Sequence, residues 1–147
     1  MPVPQKNYVE LINQTNYTIQ QEHLELILVW MKDDLLFQNE DCCCLKISDL
    51  EEIKNYNHKF RGHDQETDVL AFSCQIPNVF FKGDIIICPE VAQKDLHDTT
   101  LNYRIQELFI HGLLHLCGMD HLAHQAKKLM DKYEIKYRKK LQKEKIN

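Results

Sequence analysis

Residues 99–121, TTLNYRIQELFIHGLLHLCGMDH, carry the strongest helical pattern in the chain together with its densest chemistry. Leu101, Ile105, Leu108, Phe109, Leu113 and Leu116 recur at the spacing that gathers side chains on one side of an α-helix, which predicts a helix over residues 99–116. His111 and His115 are four residues apart and fall on the same side of it. Gly118 comes three residues after His115, where glycine can take the left-handed conformation that ends a helix and turns the chain. His121 can then swing back towards the first two histidines.

Working towards the N-terminus, residues 84–88 (DIIIC) form a continuous β-branched run typical of a buried strand, stopped by Pro89, and are expected at the centre of a sheet. Pro77-Asn78 and Gly83-Asp84 punctuate the stretch before it, and residues 68–72 are a short β-rich run. Residues 57–67 are polar and rich in turn formers, as a loop would be. Residues 42–47 read as another strand. Ser48-Asp49-Leu50-Glu51 then has the form of a capping box, opening a short helix through about residue 56 that should break before Arg61-Gly62. Residues 8–12 suit a first strand. Residues 19–36 suit a helix, with Ile19, His23, Leu26, Ile27, Trp30 and Met31 at helical spacing. Towards the C-terminus, a last helix over about 124–140 has Ala126, Met130, Tyr133 and Tyr137 on its inward side. The order β, α, β, α, β, β, α, α, without internal repeats, predicts an α/β (α+β) fold: one domain over residues 1–147, with a small mixed four-stranded sheet and four to five helices.

The 147 residues, 44% of them hydrophobic, suffice for one core. The first residues lack the pattern of a secretory signal, and no apolar run approaches the ~20 residues that span a bilayer, so a soluble, cytoplasmic protein is expected. Three of the six cysteines are consecutive (Cys42, Cys43, Cys44) and none forms a CxxC pair. They read as reduced, buried thiols, with at least one of the three on the opposite strand face. The net charge of −4 argues against a strongly basic nucleic-acid module. Nine of the 18 Lys and Arg residues nevertheless lie between Lys127 and Lys145, giving a basic C-terminal helix over about 124–145 that is either a phosphate contact or a solvated face.

Three neutral imidazoles at His111, His115 and His121 suit a metal ion. Zinc fits this donor set, although imidazole also serves nickel, copper and iron. Three protein ligands leave a fourth position open, as in catalytic rather than structural zinc sites. The spacing H-x3-H-x2-G-x2-H is also that of metzincin proteases, but those enzymes have a glutamate base directly after the first histidine, where this chain has Gly112. Asp120 either assists the site or caps the last helix. Arg61, one of only three arginines, is suited to phosphate by its planar fork, or else is a surface partner of Asp64 or Glu66.

Taken together, HGLLHLCGMDH, FRGHDQETDVLAF and GDIIIC, in this order FRGHDQETDVLAF, GDIIIC, HGLLHLCGMDH along the chain, resemble the YbeY endoribonuclease family of bacterial rRNA maturation factors over roughly residues 55–134. The resemblance implies one zinc at His111, His115 and His121, and a requirement for Arg61. It also implies cleavage of single-stranded RNA in 16S rRNA 3′-end maturation and ribosome quality control, with rRNA, the small ribosomal subunit and its assembly factors as partners. Ala71 and Ser73 depart from the serine and proline usual in the family. Two other readings stand beside it: a non-catalytic ribosome-assembly or RNA-binding factor whose zinc is structural, with Cys117 as a candidate fourth ligand, and a peptidase, which Gly112 disfavours.

Overall fold

A computed structural model of the chain describes residues 8–32, 34, 41–74, 81–118 and 124–144. Four strands form one sheet: β1 (Tyr8–Asn13), β2 (Cys42–Ile47), β3 (Val69–Ser73) and β4 (Phe81–Ile87), in the order β1-β2-β4-β3. β1, β2 and β4 run parallel and β3 runs antiparallel to β4, so the sheet is mixed. The Ile85-Ile86-Ile87 run lies inside the sheet between β2 and β3, as its β-branched sequence implies. The described residues also form five helices: α1 (Gln21–Met31), α2 (Leu50–Arg61), α3 (Pro89–Ala92), α4 (Leu101–Leu116) and α5 (His124–Glu144).

Alternation along β4 divides the interior in two. Ile85 and Ile87 point into the larger core with α1, α4 and α5, where Leu28, Phe109, Leu113, Met130 and Tyr137 are buried. Ile86 and Cys88 point the other way, into a smaller cluster with Ile53 of α2 and Leu70 of β3. The result is three layers, with the α4 face and the α2 face separated by the sheet.

Several boundaries differ from expectation. α2 is N-capped by Asp49, whose side chain accepts from the Glu52 amide at 2.8 Å, so the cap is one residue later than Ser48. The same helix runs on to Arg61 instead of stopping near residue 56, and Gly62, at φ 73°, ends it in the left-handed region. Asn57 explains the extension. Although polar, it is buried, and its Nδ2 donates to the Gln65 carbonyl at 3.0 Å, so the helix is retained by a tertiary contact that composition does not reveal. In α1 the buried residues are Leu24, Ile27, Leu28 and Met31; of the residues read at helical spacing, Ile27 and Met31 are buried and Ile19 and Trp30 pack against the core, while Leu26 is exposed, because apolar residues lie on both sides of this helix. α3 was not foreseen: Pro89 ends the strand as expected and at once serves as the first residue of a helical turn. Pro77-Asn78 and the expected end of the first helix at residues 35–36 lie outside the described residues.

Four of the six cysteines behave as buried hydrophobes, while Cys74 and Cys117 are partly exposed. Among the described residues none is in a disulfide, and Cys42, Cys43, Cys44 and Cys88 are buried. Burial pushes the Cys44 and Cys117 thiols up to about 11, so they stay protonated at neutral pH. No helix among the described residues is long and apolar enough to cross a membrane.

Candidate active site

α4 begins with Thr100, whose hydroxyl accepts from the Tyr103 amide at 3.1 Å, and ends where Gly118, at φ 85°, donates to the His115 carbonyl at 3.0 Å. The helix therefore ends at the turn expected of Gly118. His111 and His115 are half-buried on one side of α4, with their rings 4.6 Å apart and their Nε2 atoms 3.0 Å apart. Two imidazole nitrogens aimed at one point are a chelating arrangement. His121 and Asp120 lie outside the described residues, and among the described residues no group of three His, Cys, Asp or Glu side chains forms a metal-sized cluster.

A residue that the sequence reading passed over stands behind this pair. Glu134 of α5 accepts a hydrogen bond from His111 Nδ1 at 2.7 Å. With Nδ1 carrying the proton, the lone pair of His111 is at Nε2, on the side of His115. Glu134 is itself approached by Arg138 at 3.9 Å, Arg138 Nε donates to Glu107 at 2.8 Å, and Arg104 lies 3.7 Å from Glu107 and 3.1 Å from Asp68. This ionic chain lines a cleft of about 310 Å³ that runs from the start of β3 to His111. One signal could have found Glu134: it is four residues after Met130 and three before Tyr137, on the inward stripe of an otherwise lysine-rich helix.

Gly112 explains why no glutamate follows the first histidine. A Cβ there would be 2.8 Å from Ile85 Cγ2, so α4 rests on the sheet at this point and has no space for any side chain. The peptidase arrangement is thus blocked by packing as well as by sequence.

Arg61 is not among the residues that line this cleft; it is on the exposed last turn of α2. Its Nη2 donates to the Ala71 carbonyl at 2.7 Å, at the free edge of β3, and its guanidinium lies 5.1 Å from the centre of the Phe72 ring. Glu66, one of the two surface partners considered for it, is instead paired with Lys94 at 2.6 Å. The contact is made with the backbone carbonyl of Ala71, so it does not depend on the side chain at that position. Part of the basic tail is occupied: Lys136 pairs with Asp34 at 2.7 Å, Lys127 with Asp131 at 3.6 Å, and Lys140 lies over the Trp30 ring at 5.0 Å. Arg138 is engaged with Glu107 as well.

A three-layer α/β protein with a braced histidine pair on its core helix and an arginine at the free edge of its sheet is the class defined so far. Comparison with known proteins narrows it: the family profile described as Endoribonuclease YbeY matches residues 9–142, and the chain belongs to this family. It is 34% identical over 113 residues to the Endoribonuclease YbeY of Buchnera aphidicola, covering 73% of this chain and 72% of the relative. It is 32% identical over 136 residues to that of Francisella tularensis subsp. novicida, covering 86% and 84%. A solution structure of a Thermotoga maritima protein is similar at a TM-score of 0.57 and 26% identity, over 86% of each chain.

Proposed function

We propose that this chain is a zinc-dependent endoribonuclease that cleaves single-stranded RNA in the maturation of the 16S rRNA 3′ end and in ribosome quality control, in the cytoplasm. Membership of an endoribonuclease family supports the RNA substrate. The observation that carries the metal reading is the convergence of His111 and His115 Nε2 atoms at 3.0 Å with Glu134 behind His111. Two neutral imidazoles, that of His111 fixed in one tautomer by Glu134, are a donor set that fits zinc, and His121 would supply the third nitrogen. A zinc ion so held supplies Lewis acidity and a nucleophile or base usable near neutral pH.

The remaining work falls to side chains. Arg61, held by the Ala71 carbonyl through one of its five N–H donors, has others to offer a phosphate, and its charge does not titrate away. It would neutralise charge building on the scissile group as the attacking oxygen, from water or from the 2′-hydroxyl, closes on phosphorus. Asp120, next to His121 in sequence, would orient the third ligand or take a proton.

The test is removal of the metal. Protein purified without a histidine tag should contain one zinc per chain, lose cleavage of single-stranded RNA on chelation, and regain it when zinc is returned. Undiminished cleavage by protein verified to be metal-free would exclude the mechanism. Zinc that is present, with no cleavage by the intact protein, would favour the assembly-factor role.

A further inference from the structure

On the α2 face of the sheet, away from the histidines, aromatic rings alternate with cations. Tyr56 and Phe60, one turn apart on α2, are stacked with centroids 6.0 Å apart and planes 16° apart. Phe72 of β3 meets Phe60 edge-on at 5.4 Å. Lys46 lies 5.4 Å from the centre of the Tyr56 ring and Lys59 lies 5.2 Å from that of Phe60, while Arg61 covers Phe72. Phe60 is the outermost ring, 52% exposed.

The fold accounts for part of this strip. Tyr56 and Phe72 pack against the Ile53, Leu70 and Ile86 cluster, and basic residues at the end of α2 complement the helix dipole. Neither reason calls for a phenyl ring at position 60, where half of the apolar surface gains nothing from burial. A half-exposed phenyl ring with an ammonium over it and a guanidinium over the adjoining ring is instead the composition of a surface on which unpaired bases stack while cations follow the backbone. The charge has a direction as well. Glu51 and Glu52 occupy the first turn of α2 and Lys59 and Arg61 the last, so a polyanion is favoured at the end that adjoins β3.

We propose that Phe60, stacked with Tyr56 and accompanied by Lys59 over its ring and Arg61 over the adjoining Phe72, is a stacking subsite for bases of single-stranded RNA, leading the strand to Arg61 at the edge of β3. The subsite deepens, and rests on, the endoribonuclease reading. It also supplies a physical source of single-strand selectivity, because bases paired in a duplex present only their edges.

The experiment is a cycle between ring and base. Fluorescence anisotropy would measure binding of a labelled, mixed-sequence 2′-O-methyl RNA decamer, and of the same decamer with abasic sites, to wild type, Phe60→Ala and Phe60→Leu, with cleavage of unmodified single-stranded RNA by wild type followed in parallel. Both variants should keep the wild-type thermal midpoint and bind the intact decamer on the order of tenfold more weakly, the scale of one base–aromatic stack. Neither should lose further affinity for the abasic decamer. Wild-type affinity in Phe60→Leu, or equal losses on both decamers, overturns the stacking subsite while a cleaving wild type leaves the ribonuclease reading standing. A wild type that neither binds nor cleaves overturns both.

Discussion

His111 is held from behind by Glu134, which the exposed Arg138 approaches in turn, and His111 and Glu134 are partly buried between α4 and α5. Arg61 stands at the exposed end of α2 with one carbonyl and one aromatic ring as its neighbours. The first arrangement fixes a nitrogen lone pair in place before any ligand arrives. The second keeps donors open towards solvent, where a large anionic substrate can reach them. The difference teaches that the two halves should fail differently: damage at the histidines should appear as lost metal, and damage at the arginine as lost turnover with the metal retained.

The largest effect should separate the halves outright. His115→Ala is expected to lose zinc and cleavage together, whereas Arg61→Ala keeps one zinc per chain and slows cleavage by about 10²–10³-fold, the scale of removing one donor to developing charge. Elemental analysis alongside single-turnover cleavage checks this, and metal lost from Arg61→Ala would erase the distinction. Next in size, Glu134→Ala should weaken zinc binding by roughly 10–100-fold in a chelator competition, as removal of a carboxylate behind a ligating histidine does. Glu134→Gln, which keeps an acceptor for His111 Nδ1, should recover part of the loss. Equal zinc affinity in wild type and both variants would make the 2.7 Å contact a fold contact only.

Smaller effects concern the scaffold beneath each half. Gly112→Ala pushes a methyl into Ile85, and overpacking of this kind costs about 1–3 kcal/mol, read as a lower thermal midpoint. Because the helix that moves carries both histidines, zinc affinity should fall with it. Asp49→Ala removes the cap of α2 and should cost about 1 kcal/mol in denaturant unfolding while leaving zinc affinity unchanged, since α2 is on the other face of the sheet. A change in zinc affinity in Asp49→Ala would show that the two faces are coupled through β3.

Legibility in the sequence followed how local the determining interaction was. α4 could be read because its apolar period and its Gly118 stop lie within one stretch, and the i, i+4 histidines come with it. The end of α2 could not, because residues 57–61 look like a loop until Asn57 is seen buried with its side chain on the Gln65 carbonyl. Arg61 was found for its chemistry but placed on a loop, when it is the last residue of a helix.

Glu134 is the sharper case. It is 23 residues from His111, and nothing local marks one carboxylate of a lysine-rich helix as the partner of an imidazole. Period and turn chemistry act over a few residues, so the sequence by itself determined the strands and the principal helix, the order of elements, and the pair of imidazoles four residues apart. Which carboxylate stands behind His111, why Gly112 can bear no side chain, and how Arg61 comes to the free edge of β3 were decided only when α5, β4 and β3 were brought against α4 and α2, because each depends on distances between residues far apart in the chain.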